Sequence, residues 1–189
     1  MKNINTARKL TTMGLLAAVS VILVYFIHFP LLPAAPFLEY DPADIPIFIS
    51  TFLFGPFGGL LLTVVVSLVQ GLTVSAQSGI IGILMHIFST GSFALVAGFI
   101  YQKKRTRKSA MLALLAGVIV MVATMCVWNA IFTPIFSGMP RQAVIAMLPT
   151  VIIPFNLIKS GVNAIITAIV YKKISGIVFK EKVSENIQM

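Results

Sequence analysis

The sequence predicts an all-α, polytopic membrane protein of six transmembrane helices forming a single domain over residues 1–189. Three observations carry that prediction. Of 189 residues, 58% are hydrophobic and 10% charged, with a mean hydropathy of +1.01. A soluble domain carries about 25% charged residues and under half apolar ones, so this chain lacks the polar surface to cover a soluble core, and lipid is the solvent that suits it. The apolar residues also gather into runs, and a helix of about 20 such residues crosses a bilayer. Finally, the basic residues behind the net charge of +9 lie almost entirely between or beyond those runs.

The first span is 10–28, preceded by Lys2, Arg8 and Lys9. Ala34 and Ala35 after it resemble a signal-peptide cleavage site, but the run exceeds an h-region of about 7–15 residues, so it is read as retained. Prolines 30, 33, 36, 42 and 46 then forbid a continuous helix. They stiffen a long loop, FLEYDPADIP, in which Phe37, Leu38 and Tyr40 alternate with Glu39, Asp41 and Asp44. Such a loop is placed to fold over the mouth of the bundle as a lid. Asp44 is read as the cap of the second helix, with ligand contact as the alternative. The second span, 45–54, ends at the FGPFGG turn. It rises only about 15 Å, half the hydrocarbon thickness, which raises a re-entrant, five-span alternative. The third span is 58–74, followed by SAQSG; here Gln77, Gly79 and Gly82 fall on the same side as the lid. The fourth is 80–102, closed by KKRTRK; the fifth is 109–136, closed by SGMPRQ; the sixth is 148–172.

Charge chooses between six spans and five. Lys and Arg favour the cytoplasmic side. The N-terminal segment, KKRTRK and the C-terminal segment share one side only if an even number of crossings separates each pair, as six spans provide. Twelve of the fourteen basic residues then face inward, Arg141 and Lys159 excepted, while Glu39, Asp41 and Asp44 lie in the first outer loop. The termini are expected in the cytoplasm. This placement is orientation information and argues against nucleic acid as a partner. The single cysteine, Cys126, excludes an internal disulfide and a cysteine metal cage. Small residues four apart let helices approach; Gly14 and Ala18, Ala94 and Gly98, and Ala113 and Gly117 have that spacing.

Neither GxxxxGK[ST] nor HExxH occurs, so no P-loop or zincin chemistry is expected, and no metal site. His28 and His86 are read as structural. A serine–histidine enzyme drawn from His86 with Ser89 or Ser92 has no feature that singles out its nucleophile. Lys159 stands out as an ionisable group inside an apolar run, where charge costs about 2.5–3.5 kcal/mol on insertion scales. Asn156 and Asn163 share its helix face, and Asn129 beside Trp128 is a further buried amide. The alternative reading is a snorkelling lysine with asparagines joining helices. Pro134 and Pro154 are expected to weaken the outer ends of the last two spans. No carboxylate is placed within a span, which argues against proton or sodium coupling. The expected site takes a flat or hydroxylated polar molecule, opens outward, and belongs to a capture subunit that needs an energising partner.

With its small six-span layout, the LEYDPADIP loop, the FGPFGG turn and NLIKSGVN on the last span, the chain resembles the S components of energy-coupling-factor (ECF) vitamin transporters, and among them the riboflavin-binding ones. The resemblance covers essentially the whole length. It implies an S-component bundle in a bacterial cell membrane that binds riboflavin as transported ligand, with no cofactor. It also implies a partner module of one transmembrane coupling protein and two cytoplasmic ATPases. Carried onto this sequence, the ligand contacts are Glu39, Asn129, Asn156, Lys159 and Asn163, then Tyr40, Asp41, Gln77 and Gly82, with Leu38, Tyr40 or Trp128 walling the ring. An AxxxA docking pattern on the first helix reads here as GxxxA, Gly14 to Ala18. Thiamine or another vitamin, and a small intramembrane enzyme using Lys159, remain the alternatives.

Overall fold

A computed structural model describes residues 6–33, 35, 36 and 38–185; at Lys172 and from residue 174 on it describes the backbone alone. Lys2, Ala34 and Phe37 lie outside the described residues, as do the side chains of Lys172, Lys180 and Lys182. Seven helices follow in order: α1 Thr6–Phe26, α2 Asp44–Phe54, α3 Pro56–Leu72, α4 Gly79–Lys104, α5 Arg107–Ser137, α6 Arg141–Met147 and α7 Ile153–Glu185. A π-helical turn, Leu148–Ile152, joins α6 to α7, and a 3-10 turn, Ala76–Ser78, precedes α4. Four apolar helical stretches are long enough to cross a membrane, those of α1, α4, α5 and α6 through Tyr171; α2 and α3 are shorter.

The short second span is the centre of the fold. Nine residues of α2 are buried, and it touches α1, α3, α4 and α7. The Phe48 ring stacks on Phe93 of α4 at 3.6 Å, and Phe52 packs on Tyr101 and Tyr171. Eleven residues rise about 16 Å, so α2 fills only half a bilayer. The other half comes from the preceding loop, which descends into the bundle: the Ala43 carbonyl accepts from Ser20 Oγ at 2.9 Å, six residues below the end of α1. The expected second span is thus a half-length helix, continued by loop rather than by helix.

Two tight reversals use glycine for a physical reason. Gly55, at φ 86°, turns α2 into α3, and Gly138, at φ 71°, ends α5. Thr106 caps α5 by accepting from the Ser109 amide at 3.2 Å. α5 runs through Pro134 to Ser137, close to the expected end at 136. The break after it is confined to 138–140, and helix resumes at Arg141 rather than 148. The irregularity expected at Pro154 lies just before it, in the π-helical turn.

Close approach explains two of the three small-residue pairs. A Cβ on Gly98 would meet the Pro56 backbone at 2.6 Å, and one on Gly117 would meet the Phe93 ring at 2.7 Å. Gly14 has nothing within 4 Å, and with Ala18 it lies exposed on α1, so this pair makes no contact inside the bundle.

Candidate functional site

The loop between α1 and α2 folds into a short ribbon, Phe29–Pro30 pairing antiparallel with Glu39–Tyr40. Two-residue strands are not stable alone, and side chains of the bundle hold this one. Lys159 Nζ donates to the Glu39 carbonyl at 3.2 Å and to Asp41 Oδ2 at 2.7 Å. Asn163 Nδ2 donates to the Asp41 carbonyl, and Asn163 Oδ1 accepts from the Tyr40 hydroxyl at 3.1 Å. Burial raises the pKa of the Tyr40 phenol, with the Asp41 carboxylate adding to the effect, so it remains a neutral donor. Beyond the ribbon, Ala35 and Leu38 pack on Val144, Ile152 and Phe155 at the α6–α7 corner. His28 Nε2 meets Glu39 Oε2 at 2.7 Å across the mouth.

Under this loop lies a cavity of two lobes that share His28, Glu39, Ser75, Ser78, Gly82 and Met85 as walls. The larger lobe, about 300 Å³, is lined on one side by the α5 face bearing Trp128, Asn129, Phe132 and Thr133. Trp128 stacks on Phe132 at 4.2 Å within the lobe and on Phe88, which lines neither lobe, at 5.2 Å. The smaller lobe, about 110 Å³, runs deeper toward Asp41, Gln70, His86, Asn156 and Lys159. Buried polar groups are normally paired, yet two here have no protein partner: Trp128 Nε1, a donor, and Gln70 Oε1, an acceptor. One belongs to a wall of each lobe.

The expected site residues divide as follows. Glu39 and Gly82 line both lobes; Asp41, Asn156 and Lys159 line the smaller, and Gln77 and Asn129 the larger. Tyr40 and Asn163 line neither, because their polar groups are spent on each other and on the loop. Nor does Tyr40 wall a ring; it lies against Phe29 instead. Lys159 is not a free cation but one side of an ion pair, 13% exposed against 4% for Asp41.

Asp44 departs furthest from expectation. It makes no side-chain cap and is fully buried as the first residue of α2, so a carboxylate does sit inside a span. It accepts from Thr90 Oγ1 at 2.8 Å and Asn163 Nδ2 at 3.4 Å, and faces His86 Nε2 at 3.1 Å. His86 Nδ1 in turn meets Ser67 Oγ at 2.7 Å. Ser67 Oγ also lies 2.6 Å from the Thr63 carbonyl, which competes with the imidazole for its one proton, so this Ser–His–Asp order lacks a committed nucleophile–base bond. Ser92, offered earlier as an alternative nucleophile, bonds Ser89 and Thr124 instead.

Sequence reasoning missed Gln70, Phe132, Thr133 and the three methionines Met85, Met121 and Met125 of the smaller lobe or its rim. A signal was present for some. Trp128, Phe132 and Phe136 recur every fourth residue, and Gln70 is polar within an apolar run, the property that drew attention to Lys159.

Comparison with known proteins agrees with this architecture. The family model for the ECF transporter, substrate-specific component, matches residues 8–171. The riboflavin transporter RibU of Staphylococcus aureus (strain TCH60) is 30% identical, with 92% of this chain and 93% of that protein covered. The riboflavin transporter FmnP of Bacillus subtilis (strain 168) is 22% identical, with 88% and 92% covered. Among solved structures, the S component of a bacterial ECF transporter superposes with a TM-score of 0.80 at 30% identity, covering 92% of this chain and 99% of that one. An S component for biotin shares the fold at a TM-score of 0.61 and 18% identity, with 91% and 95% covered.

Proposed function

Because the chain belongs to the substrate-specific components of ECF transporters, we propose that it captures riboflavin on the loop side of the membrane for uptake driven by a partner module. The observation that carries the choice of ligand is the two-lobed cavity. The Trp128 and Phe132 rings of the larger lobe suit the apolar ring system of a flat tricycle. The unpartnered Trp128 N–H and the nearby Asn129 and Gln77 suit the carbonyls and imide of its polar edge. The smaller lobe, with Gln70, Asn156 and the Lys159–Asp41 pair, suits a chain of hydroxyls. The larger lobe alone is at the lower end of the 300–1,000 Å³ range for small-molecule sites.

The relatives named as riboflavin transporters support that ligand. A biotin S component shares the fold alone, so the pocket rather than the fold chooses the vitamin. The energising module, comprising a transmembrane coupling protein and two cytoplasmic ATPases, docks on the exposed face of α1 carrying Gly14 and Ala18. The ends bearing Lys9 and the 103–108 turn face the cytoplasm, following the positive-inside rule.

The test is optical. Protein purified in detergent without added ligand is denatured, and the released material is examined for flavin absorption and fluorescence. Flavin in near-equal amount to protein is the expected result. No flavin, and no quenching when riboflavin is titrated into the emptied protein, overturns the ligand assignment and moves the search to thiamine and other vitamins.

A further inference from the structure

We propose that Asp44, acting through Asn163, is the positioning residue that latches the loop over the cavity; the reading of riboflavin capture supplies only the ligand used to test it. Asp44 lines neither lobe, and its carboxylate takes three contacts from two elements: Asn163 on α7, and His86 and Thr90 on α4. Asp44 Oδ2 and the Asp41 carbonyl together decide which way that amide points. With Nδ2 turned toward Asp44 Oδ2 and the Asp41 carbonyl, Oδ1 is left to receive the Tyr40 hydroxyl. Asp44 thereby fixes the amide that holds both Tyr40 and Asp41, and Asp41 is the partner of Lys159 in the cavity wall.

The experiment compares the full-length wild type with Asp44→Ala, Asn163→Ala and the double variant. It reads the riboflavin dissociation rate, and amide exchange at Ala43 and Ile45 in the ligand-free protein. With Thr90 and Asn163 losing a buried acceptor, Asp44→Ala is expected to release riboflavin about tenfold faster and to lose protection at both amides. Because Asp44 acts through Asn163, the double variant is expected to release riboflavin no faster than the single ones. Wild-type dissociation and protection in Asp44→Ala, or additive effects in the double variant, overturn the latch. If Asp44→Ala does not fold, wild-type protection in Asn163→Ala overturns it instead. A wild type that binds no riboflavin overturns the ligand reading alone. The latch is then decided by the exchange measurement: protection lost in the single variants supports it, and protection retained overturns it.

Discussion

The Lys159–Asp41 pair shows how much of this site depends on single residues holding one another. Both side chains are nearly enclosed, so each is tolerable only because the other is present. Lys159→Ala leaves the Asp41 carboxylate buried and unpaired, at a cost of about 3–5 kcal/mol, and the melting temperature of the ligand-free protein should fall accordingly. The double variant Lys159→Met with Asp41→Asn should recover most of that stability while still binding riboflavin poorly; a double variant no more stable than Lys159→Ala would rule out the pairing as the cause. Trp128→Phe should do the reverse. It keeps a ring on Phe132 and Phe88 but deletes an unpartnered buried donor, whose desolvation costs about 1–3 kcal/mol. Ligand-free stability should hold or rise while riboflavin affinity falls, and calorimetry on the two states checks both halves. Lys159, Asn156 and Asn129 were legible in the sequence because a polar side chain in an apolar run must have a partner. Which partner was not legible: Asp41 lies 118 positions from Lys159, and the contacts of Asp44 lie 42, 46 and 119 positions away. A rule about local capping has no access to such distances, which is why Asp44 was misread.

At the level of elements, the helices are packed by what glycine omits. The Gly98 position faces Pro56 backbone, which cannot rotate aside, and the Gly117 position faces a Phe93 ring already stacked on Phe48. Overpacking of this kind costs about 1–3 kcal/mol. Gly98→Ala and Gly117→Ala should each lower the melting temperature, whereas Gly14→Ala, with open space around it, should not; equal shifts in all three would show that helix propensity, not packing, is being measured. The long helices were readable from hydropathy because lipid demands unbroken apolar runs. α2 was readable only as an apolar run of half length. What completes its crossing is a loop whose backbone is satisfied by Ser20, Lys159 and Asn163, three side chains from other helices. Irregular backbone at that depth is permitted because it is enclosed by protein. The start of α6 was missed for a different reason. Gly138 and Pro140 do mark a real break, but Pro140 also stands where a helix can begin, directly before Arg141.

For the molecule as a whole, the proposed capture of riboflavin gives one end to binding and another surface to the partner module. The cavity lies beneath the loop, whereas Lys9 and the 103–108 turn lie at the opposite end of the helices. α1 is a peripheral helix: Met13, Ser20 and Val24 are its buried residues, and it packs mainly on α2 and α3. Small side chains on an exposed helical face let another helix approach closely, and in lipid that approach is a main source of association. Gly14 and Ala18 supply such a face and touch neither lobe of the cavity, so capture and docking should be separable. Ala18→Phe, and Gly14→Phe independently, should leave riboflavin affinity and melting temperature close to wild type. Each should abolish co-purification with the energising module and riboflavin uptake by cells. Retained uptake with either bulky residue would place the docking surface elsewhere on the bundle. Lost binding together with lost uptake would show instead that α1 supports the cavity through Ser20 and Ala43, the one hydrogen bond by which this helix reaches the loop among the described contacts.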